Sequence, residues 1–368
     1  MSHPMTYAST GVDYSLMDPF KRQAQEAAQK TAHYLREFDL SEVPWSRGES
    51  AYLIEMPDCY LAHVEEGLGT KNLVADAMYK LTGRSYYHYV ARDTIAMIVN
   101  DMITLGALPI SLAMHLAAGH GDWFKDEQRV RDLIYGWKEG CDLARCTWAG
   151  GETPTLKDMI TPETVVLSGS AIGLIKPKEK LIVPRIQDGD AIVLLASSGI
   201  HANGLTMARR IADKLPQGYL TPLADGQTYG AALVQPTTIY VKVIEACLSH
   251  NVEMHYTVNI TGHGWRKLMR VVEPFVYVID NPGEPQALFG FVQEHGPVSD
   301  EEAYGNLNMG AGFAIYVRPD QAQTVIELAA CHDVRAWVGG HIEKRGDDKR
   351  VIIVPKALEY AGAALGVR

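Results

Sequence analysis

Three segments in the first half of the chain set carboxylates beside glycine or asparagine: Glu65-Glu66-Gly67-Leu68-Gly69-Thr70-Lys71, Asn100-Asp101 and Gly150-Gly151-Glu152-Thr153. Magnesium is typically held by one or two protein carboxylates plus substrate phosphates, and glycines let backbone N–H groups approach those phosphates. The combination points to nucleotide chemistry. In the first segment the turn amides and Lys71 would meet an anion while Glu66 meets the metal that neutralises it; the plain alternative is an ordinary turn, because the GxxxxGK[ST] phosphate loop is absent. Asp93 and Asp101 are either the solvated side of a helix or ligands looking into a cleft. Gly150 and Gly151 free the backbone before Glu152 and Thr153, which could reach a cation or phosphate together, or simply form a glycine turn. Farther on, Ser197-Ser198-Gly199-Ile200-His201-Ala202-Asn203-Gly204 follows an apolar strand and opens a helix. Its amides would form an anion site, and His201 could donate to an oxyanion or shuttle a proton near neutral pH. The alternative there is a capped helix with a packed histidine.

Elements must position these residues. Residues 20–38 are rich in helix formers, and 59–64 form a short strand that delivers the chain into the acidic turn. Residues 93–105 repeat apolar side chains at helical spacing, with Ile95, Ile98, Val99 and Met102 on one face and Asp93, Asn100, Asp101 and Thr104 towards the other. A strand at 109–117, a helix at 126–144, a turn at 149–153 and a strand at 164–175 complete the first half. The stretch 176–184 and Gln187-Asp188-Gly189-Asp190 read as a connection, placing two domains at 1–178 and 179–368. Beyond it, strands at 191–196, 253–258, 275–279, 312–317, 336–341 and 351–354 alternate with helices at 201–214, 237–249, 265–272, 285–295 and 319–332, which implies a sheet covered by helices. Two further glycine segments stand between them, Asn259-Ile260-Thr261-Gly262-His263-Gly264-Trp265 and Tyr304 to Gly312.

Composition narrows the partners. The 368 residues exceed what one core usually serves. A net charge of -10 disfavours a dedicated nucleic-acid binder and leaves a small molecule as the expected partner. Five cysteines without a CxxC pair give no disulfide framework and fit a reducing cytoplasm. No apolar run approaches the ~18 to 20 residues that span a bilayer, and residues 1–19 lack the features of a signal peptide, so no membrane partner is expected.

Read in order, the segments resemble the AIR synthetase family, the phosphoribosylformylglycinamidine cyclo-ligases of purine biosynthesis. The likeness runs from Tyr7-Ala8-Ser9-Thr10-Gly11-Val12-Asp13 through the acidic segments, Ser197 to Gly204, Pro236-Thr237 with Ile239-Tyr240, Ile260 to Gly264, and Asn308-Met309-Gly310-Ala311-Gly312. It implies a mixed α/β (α+β) fold of two domains, the N-terminal one dimerising through its strands and the C-terminal one a helix-flanked sheet. It further implies an ATP- and Mg²⁺-dependent ligase, a homodimer, that phosphorylates the amide oxygen of formylglycinamidine ribonucleotide and closes its imidazole ring. Carried onto this sequence, Glu66, Asp101 and Glu152 would hold the metal, with Asp93 as a helper. Lys71 would contact phosphate, and Gly67, Gly69, Thr70, Asn100 and Thr153 would bound the nucleotide. His201, Asn203 and the backbone at Gly204 would meet the substrate, and Thr261, Gly262 and Gly264 would shape the C-terminal wall. Glu66 stands where the family usually has Asp, 36–59 contains one glycine, Gly48, where the family has a Gly-rich loop, Pro154 to Asp158 replaces the usual continuation, and His263 replaces a third glycine. Selenophosphate synthetases need an N-terminal reactive cysteine, and thiamine-phosphate kinases adjacent aspartates at the first acidic segment; neither fits. The alternatives are a catalytically silent nucleotide-binding paralogue and a same-fold enzyme acting on another amide or amidine.

Overall fold

A computed structural model describes residues 5–11 and 13–365, so Val12 of the opening motif lies outside the described residues. In the first half run α1 (Tyr14–Gln29), β1 (Ser41–Glu42), β2 (Tyr52–Glu55), β3 (Tyr60–Gly67), α2 (Lys71–Thr82), α3 (Tyr87–Met102), β4 (Leu108–Ala118), α4 (Glu127–Ala144), β5 (Thr147–Glu152) and β6 (Val165–Ile175). The six strands form one sheet in the order β1-β2-β3-β6-β4-β5. Its pairs are antiparallel except β4 with β5. Along β6 buried positions alternate with partly or fully exposed ones, the pattern of a sheet with one face on the core. Helices α3 and α4 cover that face, while Ile110, Val166 and Ile172 stand exposed.

The second half contains β7 (Ala191–Ala196), α5 (Leu205–Ala212), α6 (Tyr229–Leu233), α7 (Val241–Ser249), β8 (Met254–Asn259), β9 (Val276–Ile279), α8 (Ala287–His295), α9 (Asp300–Asn306), β10 (Ala311–Val317), α10 (Ala322–Ala330), β11 (Ala336–Glu343), β12 (Arg350–Ile353) and β13 (Leu358–Ala361). Seven strands pair in the order β13-β12-β9-β11-β7-β10-β8. Strands β8, β9 and β10 are buried at every residue, as expected of strands covered on both faces. No helix among the described residues is long and apolar enough to cross a membrane.

The sequence expectations hold for most elements and fail at informative places. Glu65 and Glu66 are not in a turn: β3 continues to Gly67, held by the pairing of Glu66 with Gly169 and Gly67 with Ser168. The segment Gly67 to Lys71 leads straight into α2, a helix the pattern reading missed. Residues 149–152 are strand as well. Gly151 is required because a Cβ there would sit 1.8 Å from the Met114 carbonyl oxygen, so its role is the close approach of β5 to β4 and not a phosphate cradle. Helix α5 starts at Leu205, later than the expected 201, because His201 and Gly204 both take left-handed backbone conformations (φ 60° and 82°). Tyr304 to Asn306, read as a turn, close the short helix α9.

Candidate active site

The polar side of α3 is not a solvated face. Asp93, Asn100, Asp101 and Thr104 are all buried, and each bonds to a residue of the second half of the chain. Two polar clusters result.

The first ties the halves together. Lys71 Nζ lies 2.9 Å from Asp93 Oδ1 and 2.8 Å from Oδ2, and donates to the carbonyl oxygens of His201 (3.0 Å) and Gln235 (2.5 Å). Both charged groups are fully buried, and Asp93 also accepts from the Thr237 backbone N–H at 2.7 Å and from its hydroxyl. Burial pulls the lysine pKa down and the carboxyl pKa up, while their mutual attraction opposes both shifts. One helical turn pair further along α3, Asn100 donates to Thr238 O at 2.8 Å and accepts from Tyr240 N at 3.0 Å. With three ammonium protons and four acceptors around it, Lys71 has no donor left for phosphate. Asp93 Oδ1 accepts from Lys71 and Thr237, whereas Oδ2 has only the Lys71 charge beside it and no hydrogen-bond donor. In this arrangement Lys71, Asp93 and Asn100, expected from the sequence as ligand contacts, bind one domain to the other.

His201 belongs to this cluster. Its ring Nε2 accepts from Ser198 N at 3.2 Å, and burial, reinforced by the Lys71 charge, lowers its pKa to about 3. In this arrangement the ring packs at the domain junction with Nε2 already occupied. Gly204 N–H donates to the Tyr7 hydroxyl at 2.9 Å, which consumes the amide expected to greet an anion. Thr70 Oγ1 lies 3.4 Å from Thr206 Oγ1, a further contact between the halves.

The second cluster lines a cavity of about 310 Å³ where the domains meet. Glu66 from β3 and Asp101 from the last turn of α3 enter it from one side; Asn203, Thr261 and Gly262 enter from the other. Asp101 Oδ1 accepts from Asn259 Nδ2 at 2.7 Å, which fixes the carboxylate, and Lys267 Nζ donates to Thr261 Oγ1 at 2.6 Å. Glu66 is pushed up to about 7, chiefly by burial and next by the negative charge of Asp101, with Lys267 opposing. A carboxylate raised by the charge of a second one suits a cation shared between them. Asn203 Nδ2 is buried without a hydrogen-bond partner, a donor available to a ligand.

Sequence reasoning missed the basic wall. Lys21 of α1, Lys267 and Arg270 all line the cavity. Arg270 donates to Ser50 Oγ at 2.9 Å and to Gly48 O, so a single glycine and a distant arginine hold the 48–50 loop against the site. His263 was visible as the residue in a glycine position, and its φ of 66° shows why glycine suits it. Its Nε2 lies 3.7 Å from Asp18 Oδ2, and burial lowers its pKa to about 4. Gly264 packs: a Cβ would lie 2.4 Å from Tyr304 O.

Glu152 and Thr153 are exposed, outside the cavity. Glu152 pairs with His115, which pairs with Ser168, which pairs with Gly67. Three interstrand spacings of about 4.8 Å separate β5 from β3, roughly 14 Å. Within one chain the expected set Glu66, Asp101, Glu152 and Asp93 does not converge, and the described residues hold no cluster of three or more His, Cys, Asp or Glu placed to bind a metal.

Two mixed domains with an acidic and basic cavity at their junction define the class, and comparison with known proteins gives the family. Residues 48–175 match the N-terminal domain of AIR synthase related proteins and residues 187–353 the C-terminal domain. The chain belongs to this family, as the order of its motifs implied. It is 35% identical over 350 residues to the phosphoribosylformylglycinamidine cyclo-ligase of Methanocaldococcus jannaschii, covering 92% of both chains. It is 30% identical to the enzyme of that name from Rippkaea orientalis, covering 93% of this chain and 98% of the relative. Among solved structures, Thermotoga maritima PurL complexed with FGAR superposes with a TM-score of 0.60 at 14% identity, over 91% of this chain and 50% of that one. AaThiL complexed with AMPPCP and TMP superposes with a TM-score of 0.58 at 14% identity, over 98% of each. These two likenesses support the fold alone.

Proposed function

We propose that the protein is an ATP-dependent cyclo-ligase that converts formylglycinamidine ribonucleotide to aminoimidazole ribonucleotide. The observation that carries the reading is the full-length relationship to cyclo-ligases, joined to a cavity in which Glu66 and Asp101 face Lys267 and Arg270. The γ-phosphoryl group passes to the formyl amide oxygen, the amidine nitrogen attacks the activated carbon, and the C–O bond breaks as phosphate leaves. Positioning and charge neutralisation dominate such a reaction. Lys21, Lys267 and Arg270 supply the positive charge, and Asn203 Nδ2 supplies a buried donor to the substrate. Glu66 and Asp101 would hold Mg²⁺, which would supply positive charge against the phosphates. The Lys71–Asp93 cluster keeps the two walls of the cavity in register.

The same reading assigns the domains to 1–178 and 179–368, the compartment to the cytoplasm and the active form to a homodimer. The exposed face of the first sheet, with Ile110, Val166 and Ile172, supports a dimer built on strands. The test is phosphate release from ATP with and without formylglycinamidine ribonucleotide. Substrate-dependent release supports the proposal. ATP binding without turnover supports the silent paralogue, and turnover with a different amide alone supports the third reading.

A further inference from the structure

Helix α4 ends in a Schellman turn. Arg145 takes the left-handed conformation (φ 57°), its N–H bonds to Asp142 O at 3.2 Å, and the Cys146 N–H bonds to Cys141 O at 3.0 Å. In this motif the residue after the left-handed position and the residue five before it bring their side chains into contact. Here both are cysteines, so the motif sets the two side chains against each other. Cys141 is buried and Cys146 half-buried, and a cavity of about 540 Å³ bounded by Pro109, Ile110 and Thr147 is lined by both. The other three cysteines stand elsewhere: Cys59 and Cys247 are buried and Cys331 is exposed.

We infer that Cys141 and Cys146 form an oxidisable dithiol, a site for modification by low-molecular-weight disulfides of the glutathione class. The half-exposed Cys146 sulfur, as thiolate, attacks the disulfide R–S–S–R; its S–S bond breaks, one R–S⁻ departs, and a mixed disulfide stands on Cys146. Cys141 then gives up its proton to solvent and its sulfur attacks the Cys146 sulfur, releasing the second R–S⁻. Two protein thiols are oxidised and one small disulfide is reduced to two thiols, so electrons and atoms balance. Cys146 is the less buried of the two, and the neighbouring Cys141 thiol lowers its pKa, which together favour Cys146 as the attacking partner. The product links the end of α4 to the residue immediately before β5, the edge strand that carries Glu152.

The test uses the full chain carrying Cys331→Ser, so that the exposed thiol does not interfere, incubated folded with glutathione disulfide. The expected product is lighter than the starting chain by two hydrogen atoms, has lost two titratable thiols, and yields one peptide pair cross-linked between Cys141 and Cys146. Adding Cys141→Ala should trap the mixed disulfide on Cys146, and adding Cys146→Ala should abolish the mass loss. Retention of every thiol, a product that stops at the mixed disulfide with Cys141 present, or a cross-link through a different cysteine would overturn the inference.

Discussion

Replacing Lys71 with Met separates a domain staple from a phosphate contact. The lysine ammonium neutralises a fully buried carboxylate and donates to two buried carbonyls from the other domain. Methionine preserves most of the side-chain volume but leaves Asp93 with only the Thr237 amide and hydroxyl. Breaking a buried ion pair by removing one partner costs about 3–5 kcal/mol. At about 2–4 °C per kcal/mol for domains of 150–250 residues, the melting midpoint should fall by roughly 6–20 °C. Converting the partner as well, in Lys71→Met with Asp93→Asn, removes the unpaired charge while keeping an acceptor for Thr237, so at least about 2 kcal/mol of the loss should return. Thermal and urea denaturation of the wild type, both single variants and the double variant complete the cycle. If Lys71→Met keeps wild-type stability and loses turnover, the staple account is wrong and the lysine acts on phosphate.

Three other outcomes follow from the cavity. Glu66 has a folded pKa of about 7 against an ordinary value of 4.5. Between those values the folded state holds the extra proton, so its contribution to stability is present below about pH 4.5 and is lost as pH rises through 7. Melting curves across that window should show the decline, Glu66→Gln should flatten it, and Mg²⁺ should stabilise the wild type more at about pH 8 than at about pH 5. Asp101→Asn retains an acceptor for Asn259 and should change stability by under about 1 kcal/mol, while turnover falls on the order of 10²-fold or more; an unaltered rate removes Asp101 from the site. Arg270→Ala frees the 48–50 loop, and the loss of charged hydrogen bonds worth about 1.5–3 kcal/mol should raise KM roughly 10- to 100-fold with a smaller change in kcat, read by steady-state kinetics.

The contrast between α3 and β5 shows what sequence could reveal. Apolar spacing located α3 correctly, but it left the polar residues open between a solvated face and a cleft, because the segments that bury them, around 201 and 235–240, lie about 100 or more positions away. The Gly-Gly-Glu-Thr segment read as a turn because the glycines that admit a close neighbouring strand look the same in sequence as those that cradle an anion; only the Met114 carbonyl distinguishes them. Motif order was enough for the family, and five of the residues it singled out, Glu66, Asp101, Asn203, Thr261 and Gly262, line one cavity. It missed Lys267 and Arg270, whose neighbours at Thr261, Gly48 and Ser50 exist only after the domains close. Asn203 and His201 stand two residues apart with opposite fates, since the reversed backbone at His201 turns its ring inward to Ser198 while Asn203 reaches the cavity.

The central claim is ring closure through a phosphorylated amide oxygen, and isotope transfer tests it most directly. Formylglycinamidine ribonucleotide labelled with ¹⁸O at the formyl oxygen, incubated with ATP, Mg²⁺ and the protein, should yield aminoimidazole ribonucleotide and inorganic phosphate carrying one ¹⁸O per turnover. Unlabelled phosphate, or phosphate released without formation of aminoimidazole ribonucleotide, would contradict it.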